Sequence, residues 1–326
     1  MGFDIQAELP KLLWLGIGVA AFLAVIGLLL VIVDRGPRCR RDWWQAACFL
    51  TPAGVLLVVG LLYPVVRTTV LSVRDRGGTA WVGLDNYAWM LTQPEILLVL
   101  RNTLLWVLFA PLLATAIGLA YAVLVDRSRY EAVAKSMLFM PMAISFVGAS
   151  IIWKFVYTYR PAGTDQIGLL NQVVVWLGGE PRQWLLDQPL NTLLLIVVLI
   201  WIQAGFAMVV QSAAIKAVPD DIIEAARIDG VNAWQQFWRV TLPMIWPTVA
   251  VVLITISVQT LKVFDIVRTM TGGQFHTSVI ANEMYNQAFR YGELGRGSAL
   301  AVVLFVLVIP LVLVQIANTR RTREAR

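Results

Sequence analysis

Gln203 and Phe206 lie three apart in one apolar stretch of the chain, and Thr255, Gln259 and Lys262 recur at four and three residues in another, with Val258 alongside. On helices, these spacings put each set on one face. Amides, a hydroxyl and an aromatic ring suit a sugar, with hydrogen bonds for its hydroxyls and an apolar face for its ring. The two glutamines equally suit a bond between neighbouring helices of a bundle, and Lys262 could snorkel or pair with Asp265, three residues on. A second polar group is the stretch "EAARIDGVNAWQQFWRVTLPMIWP", residues 224–247, which carries Glu224, Arg227, Asp229 and Arg239 between two apolar stretches. Catalytic and metal-binding clusters are missing from the pattern. His276 is the one histidine, Cys39 and Cys48 flank a short loop, and no G-x-x-x-x-G-K-[ST] occurs to cradle phosphates.

The elements that hold these side chains follow from composition. Of 326 residues, 59% are hydrophobic and 14% are charged, whereas soluble domains carry about 25% charged residues. This apolar surplus exceeds the needs of one soluble core, and the bilayer is its natural solvent. Stretches that fit a hydrocarbon core of ~30 Å, about 20 helical residues, fall at roughly 12–33, 47–66, 103–125, 136–157, 190–212, 247–268 and 298–317. They make an all-α, polytopic membrane helix bundle of about seven spans. Pro52, Pro111, Pro141 and Gly205 fall inside them, which bundle neighbours tolerate. The first run is too long for a signal peptide and ends in "DRGPRCRRD" with no small-residue cleavage site, so it reads as a retained helix. Counting from Pro247 at about 1.5 Å per residue puts Gln259 ~18 Å up, near mid-membrane. Polar groups at that depth are functional candidates, because a charge there costs about 2.5–3.5 kcal/mol.

Basic residues set the orientation. Arg35, Arg38, Arg40 and Arg41 lie after the first stretch, Arg127, Arg129 and Lys135 after the third, and Arg320, Arg321, Arg323 and Arg326 after the last. With seven spans all three groups share one side. The N-terminus is then expected outside, with the C-terminus and the 224–247 segment in the cytoplasm. The net charge of +6 reads as topology rather than as a nucleic-acid surface. The outer loop 158–189, with Trp176 and Trp184, suits short interfacial helices.

Locally, residues 219–243 read as two short helices joined at a glycine. Asp221 is placed to cap the first, with Glu224 completing a capping box. Gly230 stands where a left-handed residue ends a helix, and Asn232 with Gln235 caps the second. Pro243 is expected to stop that second helix. The apolar faces, Ile222, Ile223, Ala225, Ala226 and Ile228, then Trp234, Phe237, Trp238 and Leu242, need a cover, either lipid headgroups or a partner.

Glu224-Ala225-Ala226, two residues, Asp229-Gly230, and Leu242-Pro243 at its fixed distance resemble the EAA signature of permease subunits of ABC importers. Val231 and Val240 stand where that signature has Ala and Ile. "AVPDDI" and "MTGGQF" are also similar to this family, and "SVIANEMYNQAFRYGELGRGSALAVVLF" resembles its alpha-glucoside members, within the MalF-type group of sugar importers. The resemblance implies a type I importer permease fold over residues 45–326, with an extra N-terminal transmembrane helix and basic loop over 1–44. It implies a bacterial inner-membrane protein that passes a sugar, an alpha-glucoside or another di- or oligosaccharide. Glu224, Ala225, Ala226, Asp229, Gly230, Leu242 and Pro243 would form coupling helices docked on ATPase subunits. The helices on either side would supply the sugar contacts, here the faces of Gln203 and Gln259. One EAA segment offers one docking site and an ATPase dimer presents two, so a second, MalG-type permease is implied. The two ATPase subunits would bind ATP and Mg, and an extracytoplasmic sugar-binding protein would deliver the substrate. This chain would carry no cofactor, metal or catalytic residue of its own.

Readings from other classes explain less. An ion-coupled secondary transporter favours intramembrane carboxylates in broken helices, and Asp265 is the one plausible candidate. A membrane-embedded transferase needs clustered acids, bases or metal ligands, and Asp165, Glu180 and Asp187 have no such spacing. A permease of the same family for glycerol-3-phosphate or a polyol is the nearest variant. The orientation is tested with reporter fusions. Fusions after Arg41 or Arg326 should report cytoplasm, and those after Ala80 or Gln274 the outside. An external reporter at Arg326 would overturn the seven-span arrangement.

Overall fold

The computed structural model describes residues 5–34, 41–126 and 128–324. Arg35, Arg38, Arg40, Arg127 and Arg326, which carry part of the charge pattern, and Cys39 lie outside the described residues. The chain divides into two compact units between Arg67 and Thr68.

In the first unit, α1 (Ile5–Asp34) packs on α2 (Arg41–Leu57). A π turn, Val58–Leu62, joins α2 to α3 (Tyr63–Leu71), which crosses the division between the units. The run Trp43–Leu71 has 29 residues, is strongly apolar, and buries none of its most apolar window. Such a helix needs lipid or another chain around it.

The second unit continues with α4 (Asp85–Thr92), α5 (Pro94–Val125), α6 (Glu131–Phe139), α7 (Phe146–Val156), α8 (Leu169–Trp176) and α9 (Leu190–Lys216). Then come α10 (Asp220–Ile228), α11 (Ala233–Gln236), α12 (Leu242–Leu261), α13 (Asp265–Met270), α14 (Ile280–Tyr285) and α15 (Leu294–Glu324). Its core is the contact of α5 with α9, and α12 packs on both. Trp106, Leu195, Val198 and Ile256 are fully buried there. Small residues set the approach. A Cβ on Gly118 of α5 would lie 2.6 Å from Ala207 Cβ and 2.7 Å from the Met208 nitrogen of α9, and one on Gly205 would lie 2.4 Å from the Leu138 carbonyl of α6. Lipid tails give apolar helices no hydrophobic reason to associate, so close backbone packing of this kind holds them together.

Among the described residues, five helices are long and apolar enough to span a membrane, or six if a bent pair is one span. Among the described side chains of α1, the apolar stretch is Leu13–Leu28. The structure differs from the sequence expectation at four places. The expected span 136–157 is broken: α6 and α7 meet at 104°. Pro141 sits buried in a 3₁₀ turn, Met140–Ala143, and Ser145 restarts the chain by accepting the Gly148 N–H at 3.0 Å. The expected span 247–268 ends at Leu261, where Lys262 N–H bonds back to Gln259 O at 3.1 Å, and Asp265 opens a separate helix. Pro243 does not stop its helix. A π turn, Phe237–Thr241, shifts the hydrogen-bond register so that Leu242 N–H reaches Phe237 O, and Pro243 falls in the first turn of α12. The result is one helical run, Ala233–Leu261. Asp221 does not cap α10. Pro219 takes the cap position without a side-chain bond, and Asp220 and Asp221 both lie in the first turn, where they complement the helix dipole.

The α5–α9 contact predicts opposite outcomes for two alanines. Gly118→Ala should lower stability by about 1–3 kcal/mol through overpacking, read as a lower thermal midpoint in detergent. Gly54→Ala, with nothing within 4 Å of the added Cβ, should be neutral or stabilising by about 0.5–1 kcal/mol.

Candidate functional site

The 219–243 segment builds its corner from backbone and side-chain bonds. At the end of α10, Gly230 N–H bonds Arg227 O at 3.0 Å and Val231 N–H bonds Ala226 O at 3.2 Å. This paired closure ends a helix on a left-handed residue, and Gly230 has φ +78°. A Cβ there would meet nothing within 4 Å, so glycine is required by the backbone rather than by space. Across the corner, Asn232 Oδ1 accepts Gln235 N–H at 2.9 Å and Gln235 Oε1 accepts Asn232 N–H at 3.2 Å, a complete capping box.

The segment has an inner and an outer face. Ile223 and Ala226 turn inward and are buried. Ile223 lines a cavity of about 390 Å³ between this segment and the ends of α5 and α9, which Asp126 and Arg227 also line. Glu224, Ala225, Asp229 and Gly230 are exposed, as are Ile228 at 86% and Trp234 at 70%. Trp234 and Phe237 both stack edgewise on Trp238. Of the signature residues, Ala226 therefore packs within the chain, and Leu242 and Pro243 belong to the span itself.

The entry to the segment is fastened to α6. Glu131 accepts both Lys135 and Lys216 at 2.5 Å, Lys135 also reaches Ser212 Oγ, and Lys216 lies 3.9 Å from Asp126. These residues tie the start of α6 to the last turns of α9. The sequence reading missed this network because its members are ordinary interface charges when seen one at a time.

In the bundle, Gln203 Nε2 donates to Gln259 Oε1. Gln203 is buried and Gln259 is exposed. The bond joins α9 to α12, as neighbouring-helix pairing would have it. Gln259 and Lys262 share a small cleft with Phe146, Phe264 and Asp265. Phe206 and Val258 are half-buried and Thr255 donates to Val251 O at 2.8 Å, one turn back; none of the three lines that cleft. No ion pair joins Lys262 to Asp265 among the described residues. Phe146 and Phe264 were not legible as lining residues, because both follow helix breaks that apolar patterning does not mark.

The family model described as "Binding-protein-dependent transport system inner membrane component" matches residues 114–324. The chain is 51% identical over 282 residues, 86% of its own length and 83% of the relative's, to the "Alpha-glucoside transport system permease protein AglF" of Rhizobium meliloti (strain 1021). It is also 51% identical over 273 residues, 84% of its length and 97% of the relative's, to the "Osmoprotective compounds uptake permease protein GgtC" of Synechocystis sp.. A chain from the crystal structure of a bacterial ABC transporter that imports the acidic polysaccharide alginate has the same fold, with a TM-score of 0.74 at 23% identity over 86% of this chain and 96% of that one.

The glutamine pair predicts a non-additive double-mutant cycle. Gln259→Leu should cost about 1–3 kcal/mol by leaving the buried Gln203 amide unpaired. Gln203→Leu with Gln259→Leu should recover much of that loss. Additive shifts in thermal midpoint would mean that the bond contributes nothing to the bundle.

Proposed function

The chain belongs to the family of binding-protein-dependent transport system inner membrane components, and we propose that within an ABC importer it forms half of the pathway for a neutral sugar of alpha-glucoside type. It is a multi-pass inner-membrane permease subunit. Its 51% identity to a permease named for alpha-glucosides supports the substrate class. The equal identity to a permease named for osmoprotective compounds favours a second reading, a small polyhydroxylated solute. The Gln259 and Lys262 cleft, of about 40 Å³, offers amide, ammonium and carboxylate groups beside aromatic walls, a set that contacts one edge of such a solute rather than enclosing it.

The observation that carries the coupling role is the shape of the 219–243 segment. Its corner is locked by two interlocking backbone closures and a capping box. α9 leads into it, and the run Ala233–Leu261 leads out of it as one helix. Between Trp234 and Gln259 that helix is ~37 Å long at about 1.5 Å per residue, so a push on the corner reaches the cleft as a rigid-body displacement. Glu224, Ala225, Ile228 and Asp229 form the face for an ATPase subunit, and Gly230 fixes the angle at which that face is presented. ATP and Mg belong to the ATPase pair, the second permease supplies the other docking corner, and a binding protein delivers the sugar outside. The corner faces the cytoplasm, with the N-terminus outside and the C-terminus inside. Residues 1–44 add a helix to the common permease core.

The test uses the complex purified with its partners, measuring retained ATPase subunits, stimulated hydrolysis and uptake. Gly230→Val places a β-branched residue at positive φ and should lower uptake at least tenfold, through lost docking or hydrolysis uncoupled from transport. Glu224→Ala leaves the corner intact and should lower uptake only a few-fold. Wild-type docking and uptake with Gly230→Val would contradict the coupling role.

A further inference from the structure

We propose that a cavity at the Pro94 end of α5 is a socket for an arginine or lysine side chain of the extracytoplasmic binding protein. The proposal rests on the importer reading above. The cavity holds about 280 Å³ and is lined by Glu95, Asn102, Gly273, His276, Ser278 and Glu283, among others. What it presents is one-sided. Glu95 is exposed in the first turn of α5. Glu283 accepts only amide donors, Gln287 Nε2 at 2.7 Å and Asn286 Nδ2 at 3.5 Å. Neither carboxylate forms an ion pair among the described residues. Arg268 reaches the neighbouring Asn286, donating to its Oδ1 at 3.1 Å, and lies over the Tyr285 ring rather than pairing with Glu283.

An independent feature of the same cavity also calls for a donor. Asn102 is 1% exposed, and its Nδ2 donates to His276 O at 2.5 Å and to Ser278 O at 3.0 Å. Those two bonds fix which way round the amide sits and leave Oδ1 buried with no partner. Buried acceptors are ordinarily satisfied. Lys and Arg bring donors without acceptors and the positive charge that two carboxylates call for. Exposed Phe275 on the rim gives an aliphatic stem or a guanidinium plane an apolar surface to lie on. A metal ion fits less well. His276 Nδ1 is taken by Gln188, and among the described residues no three His, Cys, Asp or Glu side chains are grouped to hold one.

Position selects the partner. The other end of α5 carries Asp126, which lines the cavity beside Ile223 and Arg227 of α10. Glu95 and Asp126 are separated by ~46 Å of helix at about 1.5 Å per residue, the thickness of a bilayer with its headgroups, about 40–45 Å. With the coupling corner turned to the ATPases, the Glu95 cavity opens on the opposite side, where the binding protein arrives.

The experiment titrates sugar-loaded binding protein onto the reconstituted complex and reads ATPase stimulation, each complex normalised to its own maximum, at 50 and 200 mM salt. The Glu95→Gln/Glu283→Gln double variant should need roughly tenfold more binding protein for half-maximal stimulation at 50 mM salt, with a flatter salt dependence. Glu95→Lys, an exposed single change, should raise the half-maximal concentration further. Wild-type titration curves for both variants at both salts would overturn the socket. So would a wild-type thermal midpoint that rises with calcium while the titration curves stay equal, since that assigns the cavity to a metal ion. If the wild-type complex is not stimulated by any binding protein, the importer reading itself fails, an outcome distinct from loss of the socket alone.

Discussion

A backbone amide in hydrocarbon has no water to bond, so every segment that crosses a bilayer must close its own hydrogen-bond ladder. Much of this chain's geometry follows from that constraint. Proline interrupts the ladder at Pro52, Pro111 and Pro310, yet the helices around them continue. Where the register must shift, a π turn carries the ladder across, as at Val58–Leu62 and Phe237–Thr241. Where the chain does turn, a specific acceptor takes the freed N–H. Ser145 does so at the break between α6 and α7, and Asn232 at the start of α11.

The polar corner is tied together by local bonds of the same kind. Its two helices are short, and short isolated helices are marginal in water. This pair is held by the Gly230 closure, by the Asn232–Gln235 box and by burial of Ile223 and Ala226. Its two exits are equally firm: Glu131 clamps the end of α9 to α6, and the π turn runs α11 into α12 without a hinge. Gly118 and Gly205 then bring α9 against α5 and α6 at backbone distance.

What the sequence made legible is what local chemistry specifies. Gly230 and the Asn232–Gln235 pair could be read directly, because a left-handed end and a capping box need nothing from distant residues. Membrane spans could be read from apolar length. The break at residues 143–146 could not, since Pro141 looks no different from Pro111, which lies in an unbroken helix; tertiary packing decides between them. The end of α12 was hidden for a related reason. Lys262-Val263-Phe264 continues the apolar pattern while the backbone has already turned. Asp221 was misplaced as a cap because Pro219, not the aspartate, begins the turn. Gln203 and Gln259 were matched by depth, but depth alone does not distinguish a ligand contact from a bond between helices, and the fold shows the bond between helices.

The coupling role proposed for the corner requires that an ATPase subunit cover the outer face of α10. Cysteine cross-linking in the assembled complex, with Cys39 and Cys48 replaced by serine, tests this directly. A thiol introduced by Ala225→Cys, on the exposed face, should cross-link to the ATPase, and the yield should change when ATP is bound. A thiol introduced by Ile223→Cys, turned inward, should not. Cross-linking absent from both positions, or labelling of the Ala225→Cys thiol by an impermeant reagent from outside the cell, would contradict it.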